Sequence, residues 1–420
     1  MPDLTRLLVL ATVTALGALL AAELRSRPRA ALAFWLGVLA FVPFWLAVPV
    51  GTVTVPPSTM AALVVLPACW GAAGPGWGPS GGDRLLLVAV AATVGAVLLS
   101  SSPRYLLPAM LLQGVLSYVV GRRLTTLAGP SWSVDLVAVV TVACAVWAIL
   151  ETATDVHVFA GLRGLPSLTS WNQVQYRGGV SRAEGAWGHA IALGSWLSLG
   201  LPFVLGSSLR RTWWWVGVVL AGAFATLSRG PILGCLLVFA LCVLFLGSVP
   251  TVRRIAFGLT ALAVGAVVVP PVVAFMGTVS GELTTTQDYR AHLVEHALAD
   301  VHLVGRADNV VTAPDGTLRY REFSSIDNAF LLSALDSGLV VTALLAAGLL
   351  VAVVRVLRGI GTVADIALAG QVLVLATVAT ITQYQAAVYF VAGVAVSLAA
   401  SRQSPGSATA QPDRPGRVRA

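Results

Sequence analysis

The chain contains no lysine, and only 10% of its 420 residues are charged. So little charge excludes a soluble globular domain of ordinary composition, which needs several times more polar surface to stay in water. All 26 basic residues are arginines, and against 18 acidic residues they leave a net charge of +8. They stand in short clusters between apolar runs, never in a basic patch interleaved with aromatics, so the chain is not read as a nucleic-acid binder. Cysteine is scarce as well. Cys69, Cys144, Cys235 and Cys242 lie singly inside apolar runs, without the close spacing of a disulfide framework or a zinc site, and are read as core residues. No internal repeat and no separate soluble domain is recognisable.

What is abundant is hydrocarbon. Hydrophobic residues make up 57% of the chain, and the mean hydropathy is +0.86. Apolar runs able to cross about 30 Å of bilayer recur from end to end, and within lipid such runs must be helices, because only a helix satisfies its own backbone groups. The fold class expected is an all-α polytopic membrane protein. Spans are predicted at 7–22, 31–48, 58–72, 85–101, 105–120, 134–150, 188–207, 212–227, 231–248, 255–275, 327–350, 364–380 and 386–400. The first run is read as a retained span rather than a cleaved signal, since MPDLTR is barely positive and RSRPR follows.

Arginine clusters in short loops mark the cytoplasmic side. Arg25, Arg27 and Arg29, then Arg122 and Arg123, Arg210 and Arg211, Arg253 and Arg254, Arg355 and Arg358, and Arg402 are each separated by an even number of crossings. Thirteen spans therefore alternate with the amino terminus outside; twelve result if 58–72 is re-entrant, and the amino terminus is then inside. The chain divides into helices over 1–150, an outer loop over 151–187, helices over 188–275, a large outer loop over 276–326, helices over 327–400 and a disordered cytoplasmic tail over 401–420.

Several polar residues stand where this topology does not need them. Arg229, in the tight link TLSRGP, lies on the outer side between two apolar spans, where its guanidinium must reach water, an anion or a carboxylate; a snorkelling turn residue is the plainer reading. In GVSRAEGAWGHAIALG, Arg182, Gly185 and His189 fall on one helical face, and Arg182 offers the planar five-donor fork that phosphate groups favour. An amphipathic lead-in with an interfacial histidine explains the same pattern. In DYRAHLVEHALADVHL, Arg290, Leu293, Val294, Ala297 and Val301 share one arc, with His292, Glu295 and His296 opposite. HLVEH matches an inverted zinc-protease pattern, but the ordinary reading of these three is a solvated face. Asp327 shares a helical stripe with Leu331, Ala334 and Gly338, and Ser324 to Asp327 also has capping-box spacing.

In order, SRAEGAWGH, LSRGPILG, DYRAHLVEHAL with the later LVG, and IDNAFLLSALDSG resemble the outer arginine segment, the Ser-Arg-Gly turn, the outer-loop arginine helix and the "HN, aliphatic, Gly" motif of the O-antigen ligase and O-antigen polymerase superfamily. The resemblance covers roughly 170–345. Ligases carry histidine where this chain has Asp327, and aspartate there is more similar to polymerase-type members. The resemblance implies a C-type membrane glycosyltransferase in the bacterial plasma membrane with its active face extracytoplasmic. It would move a glycan from a polyprenyl-pyrophosphate carrier to a sugar hydroxyl on an acceptor glycan or glycolipid, with inversion and without metal or cofactor. Arg182, Arg229 and Arg290 would hold the diphosphate and Asp327 would be the general base, with Asn328 orienting it and His189 or Glu184 as second choices for base. The alternative from another class is a transporter or flippase of lipid-linked saccharides, which would place its charges deep within spans or at broken helices.

Overall fold

The computed structural model describes residues 2–50, 53–70, 78–100, 105–247, 283–312, 318–321, 323 and 326–403. Its body is a bundle of helices: α1 Pro2–Leu24, α2 Pro28–Phe41, α3 Pro57–Trp70, α4 Gly81–Leu99, α5 Leu106–Ala109, α6 Leu116–Ala128, α7 Pro130–Thr154, α8 Ala190–Gly206, α9 Thr212–Ala225 and α10 Arg229–Phe245. After the undescribed 248–282 come α11 Leu283–Asp300, α12 Ala329–Ser337, α13 Leu339–Leu357, α14 Val363–Thr377 and α15 Tyr384–Gln403. Four of these, α4, α7, α13 and α15, are long and apolar enough to cross a membrane, and seven shorter apolar helices pack among them. The chain is thus an all-α membrane protein. Among the described residues three antiparallel strand pairs lie in connections: β1 Val48–Val50 with β2 Val53–Val55, β3 Tyr176–Arg177 with β4 Val180–Ser181, and β5 Val310–Thr312 with β6 Leu318–Tyr320.

Small residues let the helices approach closely, as they must where lipid supplies no hydrophobic drive between helices. A methyl added at Gly121 of α6 would strike the Phe390 carbonyl of α15, and one at Gly393 would strike the Tyr118 carbonyl. Polar groups inside the bundle find each other: the Tyr384 hydroxyl donates to Gln371 Oε1 at 2.6 Å, and Gln371 Nε2 donates to Ser198 at 3.4 Å.

Side-chain contacts sort the connections onto two ends. At one, Arg29 Nε donates to the Ala128 carbonyl (3.0 Å), Arg123 Nε to that of Cys69 (2.9 Å) and Arg402 Nη1 to that of Gly361 (3.0 Å), while Arg355 pairs with Asp365 at 3.0 Å. At the other, Trp45 Nε1 donates to the Leu162 carbonyl (3.1 Å), the Tyr105 hydroxyl to Asp336 (2.8 Å), and the Ala329 N–H to the Val378 carbonyl (3.1 Å). Both long polar segments meet this second end.

Several expected spans differ in detail. The run 31–48 is helical only to Phe41, since Pro43 cannot continue the ladder and the chain turns into β1. The run 105–120 continues through a π-helical turn at Met110–Val115 to Ala128, which draws Arg122 and Arg123 out of the loop and buries them inside α6. The predicted span 255–275 lies outside the described residues, as does most of the tail.

The largest correction is 327–350, which is two helices. At Gly338 the backbone adopts φ +92°, which glycine alone adopts without strain. The polar groups freed by the break are taken by the segment before it: Gly305 N–H donates to the Ser337 carbonyl, Ala307 N–H to that of Leu335, Leu339 N–H to that of His302 and Val340 N–H to that of Leu303, all within 2.8–3.2 Å. This segment is anchored in turn by Asp300, which accepts from the Tyr320 hydroxyl (2.7 Å), Asn309 (3.1 Å) and Arg321 (2.8 Å); these donors hold its carboxyl down to about 2. A small apolar cluster of Leu293, Ala297, Tyr320, Phe323, Leu331 and Leu335 fills the space beneath.

An added Cβ at Gly338 would lie 2.8 Å from the Leu303 carbonyl oxygen, whereas one at Gly348 would meet only Leu85 at 3.7 Å. Gly338→Ala should therefore lose about 1–3 kcal/mol from backbone strain, lowering the melting temperature of the detergent-solubilised chain by several degrees. Gly348→Ala should be neutral or slightly stabilising. Equal melting of the two variants would contradict the assignment of the break.

Candidate active site

The site is built where α7 ends. Its apolar run terminates in Glu151, buried to 4% exposure, and Asp155 then turns the chain in the left-handed region so that the loop folds back over the bundle. One Glu151 oxygen accepts the backbone N–H groups of Glu184 (3.0 Å) and Gly185 (2.8 Å); the other faces His157 Nδ1 at 2.9 Å. The loop between these anchors forms the β3–β4 hairpin around Gly178 and Gly179, both at positive φ, and thereby presents Arg177 and Arg182 to the α9–α10 turn.

Arg182 grips that turn with two donors, Nε to the Thr226 carbonyl (3.1 Å) and Nη2 to Ser228 Oγ (2.7 Å), while Nη1 donates to Gln175 Oε1 in its own loop (2.9 Å). Arg177 Nη1 donates to the neighbouring Leu227 carbonyl at 2.8 Å. Both guanidinium groups therefore rest on neutral acceptors. The residue that follows this turn is Arg229, first of α10, and Gly230 packs directly against Thr377 and Val378 of the α14 end. The Val378 carbonyl is the acceptor for Ala329 N–H, so Asp327 and Asn328 flank the same spot from the other side. Arg182, Arg229, Asp327 and Asn328 are thus gathered around two adjoining turns. The backbone of Arg290 lies in α11, three residues before the buried Leu293; its side chain lies outside the described residues.

Asp327 does not have the environment expected of it. Helix α12 begins only at Ala329, so Asp327 belongs to no helical stripe, and its side chain is exposed. The cap of α12 is Asn328, whose Oδ1 accepts from Leu331 N–H at 3.0 Å. His189 is likewise a cap: its Nδ1 accepts from Ile191 N–H at 3.1 Å, and its ring meets Trp171 edge-on at 6.0 Å. Burial, and then the charge of Arg182, pulls His189 down to about 4, which keeps it neutral. On α11, Leu293 and Ala297 are buried as the arc requires, but Val294 is exposed; His292 and Glu295 face solvent, 3.9 Å apart.

The carboxylate with the environment of a base is Glu184. It is 6% exposed and accepts from Gln175 N–H at 2.9 Å, and burial pushes it up to about 7 against the opposing pull of Arg182. Burial and Arg177 bring Arg182 down to about 10, still fully charged at neutral pH. Residues given no functional role from the sequence are Glu151, His157 and Arg177, and at the helix break the set Tyr105, Arg306 and Asp336, with Arg306 3.4 Å from the Asp336 carboxylate. Glu151 and Asp336 share a signal: each is a carboxylate inside or closing an apolar run, where a charge is costly without a purpose.

These titrations affect stability in opposite directions. Glu184, raised above its usual 4.5, contributes fully below that value and loses its contribution as pH rises to about 7; His189, lowered from 6.5, contributes fully above 6.5 and loses its contribution as pH falls toward 4. Glu184→Gln should therefore gain in melting temperature over the parent chain as pH rises from about 5 to about 7, then hold that margin. A constant margin across the range would show that Glu184 titrates normally. No family model matches the chain, and no curated protein or solved structure matches it.

Proposed function

We propose that this protein is a membrane glycosyltransferase that moves a glycan from a polyprenyl-pyrophosphate carrier to a sugar hydroxyl. One observation carries the reading: two guanidinium groups resting only on neutral acceptors lie beside a buried carboxyl at about 7, at one end of an apolar bundle. In this reading that end faces outward from a bacterial plasma membrane crossed twelve or thirteen times. A diphosphate is the ligand that such a cationic cluster favours where headgroups and hydrocarbon meet.

The acceptor hydroxyl attacks the anomeric carbon, a new C–O bond forms, and the bond from that carbon to the carrier's phosphate oxygen breaks. The leaving diphosphate takes the electron pair, and Arg177, Arg182 and Arg229, with Arg290 as the resemblance implies, stabilise it most as its charge grows. Glu184 accepts the hydroxyl proton, since a base with a pKa near the working pH combines availability with strength. A single displacement inverts the anomeric centre. Glu184 thus takes the role that the resemblance gave to Asp327, and Asn328 keeps its place near the acceptor.

With purified chain and a synthetic polyprenyl-pyrophosphate oligosaccharide, Arg182→Ala, Arg229→Ala and Arg290→Ala should each reduce transfer by about a hundredfold or more. Glu184→Gln should cost at least about a hundredfold, and Asp327→Asn less than about tenfold. Chain growth would identify a polymerase, a single handover a ligase. Wild-type rates in both Arg182→Ala and Arg229→Ala would overturn the proposal. The transporter reading gains one observation, the broken helix at Gly338 with Asp336 and Arg306 beside it. It requires proteoliposomes to translocate the lipid-linked sugar and Asp336→Asn to stop them.

A further inference from the structure

At the end that carries Arg29, Arg123 and Arg402, opposite the candidate active site, the link from α8 to α9 reads SSLRRTWWW over 207–215. Contacts with two neighbouring helices fix its place. Ser208 donates through its N–H (2.7 Å) and its hydroxyl (2.6 Å) to the two oxygens of Asp135 near the start of α7, and Gly206 lies against Val363 at the start of α14. Asp135 is thereby committed to Ser208. The other hydroxyls of the link serve the chain itself, Ser207 donating to the Val204 carbonyl (2.8 Å) and Thr212 to that of Leu209 (2.7 Å). Arg210 and Arg211 are exposed and pair with no carboxylate among the described residues. Arg29, Arg123, Arg355 and Arg402 at the same end each hold a protein acceptor.

Three exposed tryptophans follow the arginine pair. Trp215 Nε1 donates to the Arg210 carbonyl at 3.1 Å, which ties the link to the first turn of α9, and Trp213 meets Phe239 of α10 edge-on at 6.5 Å. Trp214 is 74% exposed. Farther along the same face of α9 stand Gly217 and Ala221, both exposed, and a Cβ added at Gly217 would meet nothing within 4 Å. Two cationic groups without a counter-charge thus stand at the polar end of an open stripe on an apolar helix.

Donors so placed ask for an anion with an apolar body. Tryptophan rings settle at the level of lipid headgroups, and arginines beside an anionic bilayer surface are drawn to it. A free phosphate would use the guanidinium groups and leave the tryptophans idle, and an acidic peptide in water would leave the flank of α9 uncovered. A phospholipid uses both. We propose that Arg210, Arg211 and Trp214 bind the phosphodiester headgroup of an anionic phospholipid, with an acyl chain lying along Gly217 and Ala221. In the topology read from the sequence, its leaflet is the cytoplasmic one. The site stands at the far end of the bundle from the arginines of the glycosyl-transfer reading and is independent of that reading.

Native mass spectrometry of the full chain in detergent, titrated with phosphatidylglycerol and separately with phosphatidylcholine of the same acyl chains, tests this site. Phosphatidylglycerol should bind at least about tenfold more tightly. Arg210→Gln and Arg211→Gln should each cut that preference about fivefold, and the double variant should abolish it. Trp214→Ala should weaken both lipids, whereas Trp214→Phe should bind nearly as the parent chain does. Arg358→Gln, which removes an exposed arginine of the same end outside this link, should keep the preference. Equal affinity for the two lipids in the wild-type chain overturns the site, as does a preference that survives the double arginine variant or falls equally in Arg358→Gln. Displacement of the lipid by inorganic phosphate would assign the pair to a free anion, and capture of a glutamate-rich peptide without any lipid preference would assign it to an acidic protein; either result discards the lipid.

Discussion

Glu151 stands where the apolar body of α7 meets the polar loop, and three donors converge on its carboxylate: the backbone N–H groups of Glu184 and Gly185 and the ring of His157. A carboxylate buried at this depth is tolerated only when its oxygens are satisfied. Satisfying them fixes both ends of a loop of about thirty residues onto a rigid helix. Once residues 184 and 185 are pinned, the β3–β4 hairpin is confined to the gap above the α9–α10 turn, and Arg182 reaches Thr226 and Ser228. The hairpin is also tied to that turn directly, by Ala183 N–H donating to the Ala225 carbonyl at 3.2 Å and by Arg177 and Arg182.

The second outer segment obeys the same accounting through its backbone. Breaking a helix at Gly338 frees carbonyl and N–H groups at the edge of the bundle, where bare groups cost several kcal/mol in hydrocarbon. The segment 302–307 supplies the missing partners, which is why it must lie against the break. Arg306 then stands beside Asp336 and Tyr105, so a charge inside an apolar run is neutralised by the same segment that repairs the ladder. At both loops, polar chain is held over apolar helices by satisfying groups that the helices leave open.

The sequence made the all-α membrane class legible because hydropathy integrates over whole runs, and errors at individual positions cancel. Local breaks were not legible in the same way. Gly338 is one of 41 glycines; Asp336 and Ser337 before it mark the place as unusual beside Gly348, but the break itself depends on which backbone approaches it from residues 302–307. Arg182 and Arg229 could be read as anion-binding candidates because cations on the outward side conflict with charge bias. Asp327 was misplaced because a helical stripe was extended through it, although Asn328 is a strong cap that begins the helix one residue later. Glu184 is only a second choice of base on the sequence; its raised proton affinity comes from burial under the loop, a tertiary effect that sequence spacing does not encode.

Arg182 and Glu184 share one low-dielectric pocket and respond to it differently. Burial disfavours the charged form of each, yet Arg182 starts from 12.5 and, brought down to about 10, stays charged, while Glu184, raised to about 7, switches near neutrality. The positive charge of Arg182 is one of the terms that hold Glu184 down. A diphosphate bound to Arg182 would cancel that term and add negative charge nearby, raising the proton affinity of Glu184 further. Glu184 would then stay protonated over a wider pH range with an anion beside Arg182 than without one.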